Sequence, residues 1–290
     1  MSVHVLNELG EIQIGYGTYR LKKEDVYRST IHAIESGVKH IDTAPLYGNI
    51  EEVGRAIRDG NRRELFITAK ISRDSLDKCD IVVSIKDTMK RMGLEYVDEV
   101  ILHEPINHIE NWKQLSDYYL TEGRGVIGTI GVSNFNTTHL QNIIDDPTTI
   151  NPSVNQIEIN PFLTRETLPA FCTTNGIKIV AHSPLAKGEL LNNYELKNIA
   201  DEYNVSCAQI MLRRGVQKGY RVIPRSSDFK HIEENIAIDQ KINEEDMTIL
   251  NNLDCGYSTH PKYLTAVEKK RFDLYRLSHK KKRSIKREYI

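Results

Sequence analysis

The chain has 290 residues, enough for one large domain or two ordinary ones, and 39 Lys/Arg against 40 Asp/Glu leave a formal charge of −1. Hydrophobic residues at 39% and charged residues at 27% exclude wholesale disorder, and the near-neutral total excludes a polyanion-binding surface over the whole molecule. The balance is uneven: from Lys269 onward ten Lys/Arg face two Asp/Glu, a surplus of +8, and the rest of the chain carries −9.

A first strand is predicted around Ile12 to Gly17. Tyr27, Ile31 and Ile34 then fall on one helical face, Gly37 supplies the left-handed residue that ends the helix, and Val38 to Ile41 reads as a strand. A helix with Val53 and Ile57 on one face follows, then a strand over Leu65 to Thr68 and a helix bearing Ile81, Ile85, Met89 and Met92. Further strands are predicted at Val97 to Leu102, Val126 to Val132, Val154 to Ile157, Ile177 to Ala181 and Arg221 to Ile223. Strand ends near Asp42, Lys70, His103, Ser133, Gln156, His182 and Ile223 lie 28, 33, 30, 23, 26 and 41 residues apart, about one βα unit each. With the first strand that makes eight units, the signature of a (β/α)8 TIM barrel; an open doubly wound sheet is the competing architecture. The barrel is assigned to residues 1–256 and a C-terminal segment with a basic tail to residues 257–290.

The segment Gly123-Arg124-Gly125-Val126-Ile127-Gly128 matches a dinucleotide fingerprint in letters only. Such a loop must follow a strand and open a helix, so that the helix N-terminus meets the pyrophosphate. Here it follows a helix and runs into a strand, and it is read as a plain loop. Cys79, Cys172, Cys207 and Cys255 are scattered, without CxxC or metal-ligand spacing, which predicts a reducing compartment and no metal. No apolar run approaches the roughly 18 residues of a membrane span, and the N-terminus lacks a basic and then apolar leader, so a cytoplasmic protein is expected.

In a barrel, polar residues at strand ends converge on one face. Asp42, Tyr47, Lys70 and His103 bring a carboxylate, a phenol, an amine and an imidazole to consecutive ends. A phenol holds its proton to about pH 10, and a nearby ammonium is expected to lower that value and make tyrosine a usable acid. Taken singly, the Asp42–Lys70 pair reads equally as a structural ion pair and Tyr47 as a core residue.

These residues stand in motifs that resemble the aldo-keto reductase family: AIESGVKHIDTAPLYGN, the strand-end Lys70, Leu102 to Pro105, IGVSNF, VNQIEINP, AHSPLAKG and VIPRS, collinear from Gly15 to Ile238. The resemblance implies a barrel that binds a nicotinamide dinucleotide, NADP(H) in preference to NAD(H), and reduces a small carbonyl substrate. It implies Tyr47 as general acid, tuned by Lys70 and Asp42, with His103 orienting the carbonyl. Ser133, Asn134 and Gln156 match residues that bind the carboxamide, although Ser133-Asn134-Phe135 also reads as the cap of the next helix. His182, ahead of Ser183 and Leu185, takes the place of an aromatic that stacks on the nicotinamide. Arg225, Ser226 and His231 match the 2′-phosphate site, and Glu234 and Asn235 the adenine contacts. Thr18, Tyr19 and Asp42 complete the cofactor set, and Tyr19, Tyr47, His103 and Glu104 the substrate pocket. Glu104 departs from a frequent Trp, His231 from the usual Arg and Ile50 from an acidic residue; the Glu104 carboxylate is expected to disfavour anionic substrates.

The cluster Lys280 to Arg283 reads as a solvated extension, with nuclear import, nucleic acid, an anionic membrane or a protein partner as alternatives. A monomer is expected. The leading reading is a carbonyl reductase. The alternative is a nicotinamide-binding barrel used as a regulatory or interaction subunit with negligible turnover.

Overall fold

The computed structural model describes the backbone of residues 10–288 and the side chains of residues 10–278. Among the described residues, eight strands lie in one parallel sheet in chain order: β1 (Tyr16–Gly17), β2 (His40–Thr43), β3 (Phe66–Ile71), β4 (Val97–Leu102), β5 (Ile127–Ser133), β6 (Val154–Glu158), β7 (Lys178–His182) and β8 (Arg221–Val222). A parallel bridge from Ile14 to Val222 returns the last strand to the first. The Gly15 and Gly17 N–H groups donate to the carbonyls of Val222 and Pro224 at 2.8 and 2.9 Å, closing a (β/α)8 barrel.

The helices are α1 (Lys23–Glu35), α2 (Ile50–Asp59), α3 (Arg73–Lys78), α4 (Ile81–Met92), α5 (His108–Leu120), α6 (Thr137–Ile144), α7 (Thr167–Thr174), α8 (Tyr194–Glu202), α9 (Cys207–Gln217), α10 (Phe229–Ile236), α11 (Glu244–Asn252) and α12 (Ala266–Glu288). Val53 and Ile57 of α2 and Ile81, Ile85, Met89 and Met92 of α4 are buried, as their spacing predicts. A methyl at Gly54 would run into the backbone of Met92, so glycine there lets α2 lie against the end of α4. Gly37 follows α1 at φ 104°, the left-handed residue the sequence calls for. The loop at residues 123–128 turns from α5 into β5 and opens no helix.

Two details differ from the periodicity. The buried face of α1 is Val26, Ser29, Thr30 and Ala33, whereas Tyr27, Ile31 and Ile34 are only half-buried. Small and hydroxyl side chains let the helix approach the barrel closely, and a count of large apolar residues overlooks them. Strands β2 and β3 extend past the predicted Ile41 and Thr68, to Thr43 and Ile71. They do so through Asp42 and Lys70, polar residues that remain in the ladder because they neutralise each other inside it. The side chains of Lys280 to Arg283 lie outside the described residues.

Candidate active site

Residues two apart on a strand point to the same side. His40 and Asp42 on β2, and Thr68 and Lys70 on β3, therefore form two layers inside the barrel. In the upper layer the Lys70 ammonium forms a buried ion pair with Asp42 Oδ1, and Gln156 Nε2 of β6 donates to Asp42 Oδ2 at 2.7 Å. Strands β2 and β6 are not neighbours, so this last bond crosses the interior.

Tyr47 sits in a short turn after β2, its ring 5.3 Å from Lys70 Nζ, 4.9 Å from the Tyr19 ring and 5.8 Å from the His103 ring. The phenol is pushed well above its ordinary 10, first by loss of water and then by the Asp42 carboxylate. The expected lowering is absent because burial and the Asp42 carboxylate outweigh the pull of the Lys70 ammonium. Burial drives the Lys70 value down, against the pull of Asp42. His103, one residue beyond β4, is held neutral by burial and by Lys70, and its buried Nδ1 has no hydrogen-bond partner.

Beside this group lies an amide chain. Ser133 Oγ donates to the Gln156 carbonyl at 2.9 Å, Asn134 Nδ2 donates to Ser133 Oγ at 3.0 Å and to the His103 carbonyl at 3.2 Å. Because that amide nitrogen is the donor, Asn134 Oδ1 accepts, and His182 Nε2, 2.9 Å away, carries the proton. His182 is depressed to about 3, by burial and then by His260, and is a neutral ring. Asn136, not Ser133 or Asn134, caps α6, taking the His139 N–H at 2.9 Å, which leaves the other two side chains to the cavity.

One cavity of about 540 Å³ joins Tyr19, Asp42, Tyr47, His103, Glu104, Ser133, Asn134, Gln156, His182, Ser183, Leu185, Arg225, Ser226 and His231. Thr18 is buried behind it, its hydroxyl donating to the Asp42 carbonyl at 3.0 Å. Glu234 and Asn235 lie on α10 outside the lining; Asn235 is buried and Glu234 pairs with Lys230. Arg225 and His231 are exposed at the rim beside Asp228, whose carboxylate caps α10 by accepting the His231 N–H at 3.0 Å. The donor set fits a nicotinamide dinucleotide: neutral amides and hydroxyls suit a carboxamide, cations at the rim suit phosphate, and the orphaned His103 Nδ1 shows polar capacity left unused. Among the described residues no cluster of three His, Cys, Asp or Glu could hold a metal, and no helix is long and apolar enough to cross a membrane.

Several lining residues have no signal in the sequence patterns. His260, Lys262 and Tyr263 come from beyond the last strand, while Lys187, which stands in the AHSPLAKG motif without being singled out by it, lies on the rim and donates to the Thr259 carbonyl at 3.1 Å. Glu158, fully buried at the end of β6, holds that segment down: it accepts from Ser258 Oγ at 2.6 Å, from Thr259 N and Oγ1 at 2.7 and 2.6 Å, and from His260 N at 3.1 Å. Burial alone would raise its pKa, but bonds from His260, Ser258 and Thr259, with the His182 field, bring it down to about 2. Glu104, 7% exposed, is not a free acidic wall: Lys262 Nζ lies 3.0 and 3.1 Å from its two oxygens and Arg73 Nη1 3.3 Å from one.

The model of the aldo/keto reductase family matches residues 9–254. An uncharacterized oxidoreductase of Schizosaccharomyces pombe is 39% identical over 253 residues, covering 84% of this chain and 90% of its own. A glyoxal reductase of Bacillus subtilis is 35% identical over 246 residues, 83% of this chain and 88% of its own. The solved structure of an aldo-keto reductase from a Medee basin deep-sea metagenome superposes with a TM-score of 0.80 at 34% identity, covering 84% of this chain and 92% of that one.

Proposed function

The chain belongs to the aldo/keto reductase family, and from that premise we propose that it reduces aldehydes or small ketones to alcohols with NADP(H) in preference to NAD(H), Tyr47 acting as general acid. The observation that carries the reading is a charged Asp42–Lys70 pair sealed beneath a protonated tyrosine on a cavity sized for one small ligand and part of a cofactor. The glyoxal reductase relative supports a small carbonyl as substrate.

When bound, the reduced nicotinamide supplies the hydride. Ser133, Asn134 and Gln156 would hold its carboxamide, His182 would lie against its ring, Arg225, Ser226 and His231 would take the 2′-phosphate, and Glu234 and Asn235 would meet the adenine. Because Tyr47 stays protonated at rest, every resting molecule has its acid loaded. As negative charge develops on the carbonyl oxygen, the phenol gives up its proton, and the phenolate left behind lies within reach of the Lys70 field. Neutral His103 holds the same oxygen through its single N–H. The barrel supplies this machinery, and His260, Lys262 and Tyr263 of the C-terminal segment wall the substrate side.

The test is consumption of NADPH and of NADH by the full chain with a panel of small aldehydes. Turnover with NADPH exceeding that with NADH is expected. No turnover with any aldehyde, alongside tight NADPH binding, would overturn the enzyme and leave the regulatory barrel.

A further inference from the structure

Helix α12 lies on the barrel by one face. Phe272 is buried, the Tyr275 ring lies 5.3 Å from that of Tyr257, Glu268 pairs with Arg165, and Arg271 Nη2 donates to the Asp254 carbonyl at 2.9 Å. At roughly 100° per residue these four share one arc of the helix, and Val267, Leu274 and Leu277 fall on another, turned away from the barrel. They are 73%, 60% and 60% exposed, too much for them to belong to the core. Lys270 stands on the same arc between Val267 and Leu274; a lysine stem lies along apolar surface while its ammonium reaches outward.

Charge accompanies this face. From Ala266 to Ser278 the helix holds four Lys/Arg against two Asp/Glu, and six more Lys/Arg follow in the sequence up to Arg287. The backbone stays helical to Glu288. The rest of the chain is acidic, so an anionic surface repels the barrel and attracts this one element.

We propose that α12 is an interfacial helix that docks the protein on an anionic phospholipid surface, with Val267, Leu274 and Leu277 entering the headgroup boundary and the Lys/Arg residues meeting the lipid phosphates. A nucleic acid would match the charge but offer the apolar face nothing. A second copy would bring an equal positive charge against the first. A protein groove that wraps a helix needs more than one free face, and here the opposite face is taken by the barrel; a bilayer needs only one. Docking of this kind is independent of the carbonyl chemistry.

The full chain should sediment with phosphatidylcholine vesicles that contain phosphatidylserine, with an affinity on the order of tenfold or more above that for pure phosphatidylcholine, and the difference should shrink as salt is raised. Leu274→Ser combined with Leu277→Ser leaves the charge intact and should weaken binding about tenfold. Replacing Lys280, Lys281, Lys282 and Arg283 with Gln should bring binding close to the level on pure phosphatidylcholine. Trp112 is the only tryptophan of the chain and is fully buried, so Leu274→Trp adds a single exposed reporter whose emission should move to the blue on the mixed vesicles. Equal affinity for the two kinds of vesicle would overturn the proposal. Binding indifferent to the two leucine substitutions, or an unshifted Leu274→Trp emission, would overturn it too, because charge alone gives that result. Tighter binding to a single-stranded oligonucleotide than to the mixed vesicles at the same salt would assign the surface to nucleic acid instead.

Discussion

Two polar layers lie one above the other inside the same barrel, and they behave oppositely. In the lower one, His40 Nε2 and Thr68 Oγ1 are 2.8 Å apart, Thr68 donates to Glu99 Oε2 at 2.8 Å, and the Arg221 guanidinium lies over the Phe66 ring with Nε and Nη1 unpartnered. Burial drives both titratable members toward neutrality: His40 is held well below its usual value and Glu99 above its own. The upper layer pairs Asp42 with Lys70 and joins Gln156 across the interior, and it alone meets the cavity. Buried polarity by itself therefore does not mark a site. What separates the layers is a paired charge that has both a proton-bearing neighbour, Tyr47, and an outlet.

The largest effect is expected at that outlet. Tyr47→Phe keeps the ring and its contacts with Tyr19 and His103 and removes only the proton. It should cost 10²–10⁴-fold in carbonyl reduction, roughly 2.7–5.4 kcal/mol of barrier, with NADPH affinity within a few-fold. Retention of more than about a tenth of the rate would remove Tyr47 as the acid. Next comes the pair itself. Lys70→Met leaves the Asp42 carboxylate buried without its cation and should lower unfolding free energy by about 3–5 kcal/mol. Asp42→Asn added to Lys70→Met should recover part of that loss in urea melts, and simple additivity would mean that the two charges do not interact.

A third effect belongs to the carboxylate that fastens the C-terminal segment. Glu158 is lowered from its ordinary 4.5 to about 2, so its contribution is present above pH 4.5 and is lost as pH falls toward 2. The difference corresponds to about 3 kcal/mol. Glu158→Gln should therefore destabilise at pH 7 and lose that disadvantage near pH 2. A penalty that did not change with pH would show that shape rather than charge anchors Ser258 to His260.

Much of the upper layer was legible because it violates a local pattern. Asp42 and Lys70 interrupt apolar strands, and His103 stands at the mouth of one, so periodicity alone isolates them. Glu158 lies in a quoted motif, VNQIEINP, yet reads as one more strand residue, because its partners lie about 100 residues later and share no local rhythm with it. His260, Lys262 and Tyr263 are hidden for the same reason: their ties to the barrel, through Glu158, Glu104 and Arg165, all span about 100 residues or more. The carboxylate of Glu104 is legible in the sequence but its pairing with Lys262 and Arg73 is not, because sign can be seen there and compensation cannot. The lower layer was silent. His40, Thr68 and Glu99 contribute one inward residue each from three strands, and a strand buried on both faces shows no alternation to single them out.

The smallest effect separates the two buried glutamates, and with them the two layers. Glu99 and Glu158 are both almost inaccessible on barrel strands, yet Glu99 is raised above 4.5 by burial, which the Arg221 field and the Thr68 bond do not overcome. Its sign is thus the reverse of that of Glu158. A carboxyl whose folded value is raised contributes stability below its unfolded value and loses it as pH climbs through the folded one. At neutral pH the buried Glu99 carboxyl is a burden, and Glu99→Gln removes it while keeping an oxygen that can still accept from Thr68. The variant should match or exceed wild type at pH 7, by about 1 kcal/mol or less, the size of one internal hydrogen bond. Below the ordinary carboxylate range the two should converge, since wild-type Glu99 is then protonated in both states. Urea midpoints of Glu99→Gln and Glu158→Gln across acid and neutral pH should accordingly slope in opposite directions relative to wild type. If Glu99→Gln instead lost several kcal/mol at pH 7, Glu99 would be acting as a charged partner of Arg221, and the lower layer would be an ion pair of the same kind as the upper one.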